Sequence, residues 1–188
     1  MKSFDQSYFD KWYRSRRHKV RTRADLARRA AAAVAVSELV LDRPVKRILD
    51  IGCGEGEWGT ALLRLRPRAK YVGIDPSEYA VKRFGSKRNI RIGTFGDLAL
   101  VPDLERFDLV VCADVLHYLA PREIIRGATT LGERLTGVAL LQAYVKGDEL
   151  EGDLAGLTRR PQSWYARTFR AAGLRGLGMD FWSAETGV

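Results

Sequence analysis

From Arg21 to Leu41 the apolar positions Leu26, Ala30, Ala33, Val34, Val40 and Leu41 recur at helical spacing, with Arg21 and Arg28 projecting from the opposite side. This predicts an amphipathic helix docked on a larger body and ended by Asp42 and Pro44. After Pro44 the rhythm changes. Short apolar runs at Val45 to Ile51, Tyr71 to Ile74, Ile90 to Ile92, Phe107 to Cys112 and Val138 to Val145 read as strands. Helical patterns over Trp58 to Leu65, Ser77 to Phe84 and Pro121 to Leu135 lie between them, with a short turn near Leu98. A last helix, Gln162 to Ala172, stops at Gly173, and Leu174 to Ser183 allows one more strand.

Strand and helix alternating at this pitch indicate right-handed βαβ units. The expected fold is α/β, a doubly wound, mostly parallel sheet with helices on both faces. No repeat or linker divides the chain, so residues 1–188 read as a single domain: a basic helical leader or lid over 1–43 and an α/β body over 44–188.

Charge sharpens that division. Residues 1–47 hold 13 Lys/Arg against 5 Asp/Glu, a balance of +8, whereas residues 48–188 hold 19 against 18. A basic leader attracts phosphates or acidic ligands, or is simply a solvated face. With 46% apolar residues and 2 Cys, the chain fits neither a disordered protein nor a disulfide scaffold, and Cys53 and Cys112 read as free thiols of a reducing compartment, the cytoplasm. No apolar stretch approaches the roughly 18 residues of a membrane span, and no secretory h-region follows the basic N-terminus.

The chemistry concentrates at Ile48-Leu49-Asp50-Ile51-Gly52-Cys53-Gly54-Glu55-Gly56-Glu57-Trp58-Gly59, an apolar strand running through a glycine-rich turn into a helix. Glycines there permit positive φ and let a ligand approach main-chain N–H groups. Gly54 to Gly59 satisfy the letter of G-x-G-x-x-G, but in a dinucleotide site the glycines follow the strand at once, and that register would bury Asp50, Gly52 and Cys53 inside it. Starting at Asp50 gives D-x-G-x-G-x-G, with a carboxylate under the loop that repels pyrophosphate and suits a cationic cofactor. Asp75, Asp97 and Asp114 each fall where a parallel strand should end, and Asp75 stands about twenty residues beyond the glycines, the spacing of an acid that accepts ribose hydroxyls.

With these blocks in order, residues 45–119 resemble the cofactor-binding half of a class I S-adenosylmethionine-dependent methyltransferase. The likeness rests on Asp50-Ile-Gly-Cys-Gly-Glu-Gly56, Gly73-Ile-Asp75-Pro76-Ser and Phe107-Asp-Leu-Val-Val-Cys-Ala-Asp-Val-Leu-His-Tyr-Leu119. It implies S-adenosyl-L-methionine as cofactor and S-adenosyl-L-homocysteine as product. By the same resemblance Asp50, Gly52, Cys53, Gly54 and Gly56 support the methionine moiety, and Asp75, followed by Pro76, binds the ribose. Asp97 and Leu98 border the adenine, and Ala113, Asp114 and Val115 pass near the methionine end. The family ends its sheet with an antiparallel hairpin; the single strand read over Leu174 to Ser183 leaves the last strand absent, very short or supplied by a partner.

The acceptor is less defined. His117, just past the fourth strand, is a candidate general base or a pocket-lining residue, and Tyr118 is a candidate for orienting substrate. Tyr8, Trp12, Tyr13 and Arg14 of the leader, with Tyr144 and Trp164, are expected to close the pocket. Acids at Asp148, Glu149, Glu151 and Asp153 and aromatics at Tyr165 and Phe169 accompany them. Neither an Asn/Asp-Pro-Pro-aromatic stretch nor a Pro-Cys pair follows the fourth strand, which disfavours those DNA base methylases. The expectation is methylation of an oxygen or nitrogen of a small molecule by a monomer or homodimer, with no metal. The alternatives are an RNA methyltransferase using Lys11, Arg14, Arg16, Arg17, Lys19, Arg21 and Arg23 on phosphates, a non-catalytic cofactor-binding protein, and a nicotinamide-dependent oxidoreductase.

Overall fold

A computed structural model describes residues 4–14, 22–101, 106–149 and 153–185. A short helix α1 (Gln6–Phe9) passes into a π-helical turn (Asp10–Arg14), and the long helix α2 (Arg23–Leu41) follows. Thr22 and Asp25 exchange side-chain and backbone hydrogen bonds in a capping box that starts α2, and Asp42 in the left-handed region ends it. Leu26, Ala30, Ala33 and Val34 are buried, as their spacing predicts. Arg21 lies outside the described residues.

The sheet has seven strands: β1 (Arg47–Ile51), β2 (Lys70–Asp75), β3 (Ile90–Ile92), β4 (Phe107–Ala113), β5 (Leu135–Gln142), β6 (Leu174–Gly178) and β7 (Phe181–Ala184), in the spatial order β3-β2-β1-β4-β5-β7-β6. Strands β1 to β5 pair in parallel and β7 runs antiparallel between β5 and β6. The connecting helices are α3 (Glu57–Leu65), α4 (Glu78–Arg88), α5 (Pro121–Arg134) and α6 (Gln162–Ala171). Strand order reverses at β1 and β4, so their carboxyl ends flank the crevice where such sheets bind ligands.

Alternation along the strands divides the core between two faces. Leu49 and Ile51 join a cluster with Ile124 and Ala128 of α5 and Tyr165 and Phe169 of α6; Ile48 joins Tyr71, Leu109 and Val138 against α2 and α3. Leu62 and Ile48, fully buried, each contribute about 1.5–3 kcal/mol of burial.

Two expectations need correction. The stretch 174–183 is not one strand but a hairpin, β6 and β7, turning at Met179 and Asp180, which have φ of 51° and 64°. A two-residue turn with both φ positive matches the twist of its strands, but Met-Asp lacks the Asn-Gly signature by which such turns are recognised. The sheet edge is therefore complete, not truncated. Strand β5 also stops three residues early, at Gln142, because its partner β4 ends opposite it at Ala113. Beyond that point the Tyr144 N–H donates to His117 Nδ1 at 3.2 Å, and the Val145 N–H to Asp148 Oδ2 at 2.8 Å.

At the amino end of the sheet Asp108 gathers its neighbours. Its carboxylate accepts both Arg43 guanidinium nitrogens, at 3.1 and 2.7 Å, and the backbone N–H groups of Lys46 and Arg47, at 2.7 and 3.1 Å. The Thr136 hydroxyl donates to it at 3.1 Å. Burial alone would raise this carboxyl, but Arg43 and the backbone donors outweigh it and hold the group below its ordinary range.

Candidate active site

The β1–α3 turn is formed by glycines in the left-handed region: Gly52, Gly54 and Gly56 have φ of 68°, 52° and 81°. The N–H groups of Gly52 and Cys53 donate to the Ile74 carbonyl at 2.8 and 3.1 Å, tying the turn to the end of β2. Side chains are excluded as well as strained here. A Cβ on Gly52 would fall 2.2 Å from Val115 Cγ2, and one on Gly54 would fall 2.9 Å from Tyr13 Oη and 3.1 Å from Phe9 Cε1. Such a side-chain-free cradle is what a closely approaching ligand requires.

Asp50 and Asp75 lie beneath and beside this cradle, 2% and 6% exposed. Asp50 Oδ2 accepts the Tyr71 hydroxyl at 2.8 Å. Burial pushes the Asp50 carboxyl up to about 7, against the pull of the Tyr71 hydrogen bond and with a further push from Asp75. Asp75 accepts the Gly54 N–H at 2.7 Å and the Ser77 N–H at 2.9 Å, and burial raises its carboxyl too. Pro76 is exposed between them; Ser77 caps α4 through the Ala80 N–H. Cys53 is buried with its Sγ beside Gly73, its thiol raised chiefly by burial.

At the next strand ends, Asp97 accepts the Thr94 hydroxyl and Arg126 Nη2, each at 2.7 Å. Leu98 is packed into the core at 1% exposure. Asp114 follows Ala113 of β4 in the left-handed region, at φ 62°. A cavity of about 260 Å³ opens beside it, lined by Asp114, Gln142, Tyr144, Asp148, Gln162 and Asp180 among others. This cavity sits at the carboxyl ends of β4 and β5, against the turn that begins β7.

His117 does not stand at the rim. It is 0% exposed in a 3-10 turn (Leu116–Tyr118), its Nδ1 accepts the Tyr144 N–H, and its ring lies against Tyr118 and Tyr144 at centroid separations of 4.3 and 5.0 Å. The Tyr118 hydroxyl donates to the Asp153 carbonyl at 2.5 Å, and burial and the neighbouring Tyr8 raise its phenol. Trp164 covers the Arg160 guanidinium at 5.0 Å and packs partly buried against the core, and Tyr165 and Phe169 lie within that core. Glu149 is exposed, and Glu151 lies outside the described residues.

The leader lies over the glycine turn. Phe9, 2% exposed, packs against Gly54 and stacks on Tyr79 at 5.6 Å, and the Ser77 hydroxyl donates to the Phe4 carbonyl at 2.5 Å. Arg14 pairs with Asp10 and Glu55. Tyr8 sits in the field of Asp153, Asp75 and Asp114, and burial, the larger effect, raises its phenol. Trp12 is half-buried, with the Lys11 ammonium 4.7 Å above its ring. Arg16, Arg17 and Lys19 lie outside the described residues. Tyr71, Ser77, Tyr79 and Glu55 were not singled out by sequence. Their signal was weak: Tyr71 and Tyr79 look like ordinary core aromatics, and Glu55 like a solvated turn residue.

The residues present fit a ligand such as S-adenosylmethionine: a backbone cradle of glycines, an acid beneath it and a second acid at the end of β2. Comparison agrees. The Methyltransferase domain family matches residues 49–136. A trans-aconitate 2-methyltransferase of Deinococcus radiodurans is 30% identical over 149 residues, covering 70% of this chain and 55% of its own length. The methyltransferase ungE' of Aspergillus campestris is 29% identical over 92 residues, covering 44% of this chain and 27% of its own. The chain thus spans about half or less of these relatives. Among solved structures, the sugar N-methyltransferase KedS8 from Streptoalloteichus superposes with a TM-score of 0.65 at 20% identity, covering 80% of each chain. DesVI of Streptomyces venezuelae gives 0.63 at 17% identity, covering 80% of this chain and 84% of its own. Fold, motif order and family match converge on a methyltransferase domain over residues 49–136, of the class I S-adenosylmethionine-dependent kind.

Proposed function

We propose that this chain transfers a methyl group from S-adenosyl-L-methionine to an oxygen or nitrogen of a small molecule, leaving S-adenosyl-L-homocysteine, with the leader and body working as one unit. The observation that carries this reading is the cavity of about 260 Å³ at the carboxyl ends of β4 and β5, roomy enough for a small acceptor: Asp114 lines it, and the next residue, Val115, packs on Gly52 of the glycine turn. When bound, the cofactor supplies the electrophilic methyl. The residues of the chain supply position. Asp75 would accept the ribose hydroxyls, the Gly52–Gly56 turn would receive the methionine end, and Tyr144 with Asp114 would hold the acceptor in line.

The lining of the cavity narrows the acceptor. Asp114, Asp148 and Asp180 disfavour a carboxylate such as an aconitate and favour an amine or hydroxyl, closer to what the name of the sugar N-methyltransferase indicates. Proton removal from an ammonium acceptor would fall to a cavity carboxylate. His117 is assigned a positioning role, because its Nδ1 already accepts the Tyr144 N–H and its burial keeps it from the acceptor. Arg14, spent on Asp10 and Glu55, is a poor phosphate ligand, which weighs against RNA. Two buried free thiols suit a reducing cytoplasm, and among the described residues no helix is long and apolar enough to cross a membrane.

The test is calorimetric titration of S-adenosylmethionine, S-adenosylhomocysteine and NAD into the protein and its Asp75→Ala variant. Micromolar binding of the first two, weakened about tenfold or more in the variant, is expected from loss of charge-assisted hydrogen bonds. Binding of NAD alone would overturn the reading.

A further inference from the structure

Tyr71 reaches from β2 to β1 beneath the glycine turn, donating its hydroxyl to Asp50 Oδ2 at 2.8 Å with both residues buried. Two glycines make room for it. A Cβ on Gly59, within α3, would fall 2.4 Å from Tyr71 Cζ, and one on Gly73 would fall 2.9 Å from Tyr71 Oη. Neither glycine has a positive φ, so each is required for space and not for backbone conformation. Gly59, which completes G-x-G-x-x-G to the letter, is explained by the Tyr71 ring.

Resting on the cofactor reading above, we propose that Tyr71 is a positioning residue whose hydroxyl orients the Asp50 carboxyl beneath the turn and favours its charged form, so that the site favours sulfonium-bearing S-adenosylmethionine over the uncharged thioether of S-adenosylhomocysteine. A buried carboxylate resists ionisation unless a donor or a cation offsets the lost water. Around Asp50 stand Tyr71 and Asp75 on β2, Cys53 in the turn and Cys112 on β4; both thiols are raised by burial and stay neutral. Among these the Tyr71 hydroxyl favours the charged form, and Asp75 opposes it. The Asp50 carboxyl is already pushed up to about 7, so loss of this one hydrogen bond moves its charge across neutral pH.

The experiment is calorimetric titration of S-adenosylmethionine and S-adenosylhomocysteine into wild type, Tyr71→Phe and Asp50→Asn, from about pH 5.5 to 7.5, with circular dichroism to confirm folding. In wild type, affinity for S-adenosylmethionine should rise with pH more steeply than affinity for S-adenosylhomocysteine. In Tyr71→Phe the rise should move to higher pH, with about tenfold weaker S-adenosylmethionine binding at neutrality and a smaller loss for S-adenosylhomocysteine. Equal losses for both ligands, or an unchanged pH profile, would overturn the proposal. Should Tyr71→Phe fail to fold, Asp50→Asn decides: the pH dependence and the preference should both vanish, and their survival would sink the assignment. A wild type that binds neither ligand overturns the cofactor reading instead, and this assignment with it.

Discussion

Asp108 and Asp50 are buried aspartates on neighbouring strands of one sheet, and their surroundings drive them in opposite directions. At the amino end, Asp108 meets a guanidinium, two backbone N–H groups and a hydroxyl, and is held below the usual carboxylate range. At the carboxyl end, Asp50 meets one hydroxyl and a second acid, and is held above it. Every donor Asp108 needs comes from the fold, so it fastens strands. Asp50 and Asp75 are less fully compensated, as expected where a ligand is to complete the balance.

Replacing Asp108 should break this contrast most severely. Asp108→Ala leaves two backbone donors and Arg43 without their acceptor and should lower stability by about 3 kcal/mol in denaturant unfolding. Because its folded-state value is depressed, the contribution is present above the ordinary value of 3.8 and fades only as pH falls below it. Gly59→Ala comes next. In an exposed helix this change stabilises by about 1 kcal/mol, but beside Tyr71 it should destabilise by about 2 kcal/mol. Combining it with Tyr71→Leu should recover about 1 kcal/mol in a double-mutant cycle. The smallest effect has the opposite sign. With its folded-state value raised, Asp50 loses stability for the protein as pH climbs from 3.8 toward about 7 and gives none back above that. Asp50→Asn should therefore raise the melting temperature by about 3 °C at alkaline pH and leave it nearly unchanged near pH 4.

The glycine turn and Asp75 were legible because they depend on local rules: positive φ, a strand end and a fixed separation from the next strand. The Tyr71–Asp50 bond was not. Register alone places residues 71 and 50 near each other across β1 and β2, but a strand tyrosine reads as core until its hydroxyl is seen to reach an acid. His117 was placed at the rim by its distance from β4, yet the 3-10 turn over Leu116–Tyr118 rotates it inward. The β6–β7 hairpin escaped because Met179 and Asp180 take left-handed conformations without the residues that advertise them. The seating of Phe9 on Gly54 depends on contacts some forty-five residues apart in sequence, which no local pattern encodes.

That seating has a kinetic consequence. Phe9 and Tyr13 rest on the face of the turn that a methionine end would approach. In the proposed site a ligand entering there would compete with the protein's own aromatic rings, and the burial those rings give up would be subtracted from its affinity. With the leader acting as the proposed lid, the entry rate would level off at high concentration, at the rate of its opening. Once the ligand is seated, the same leader re-closing over it would govern how long it stays.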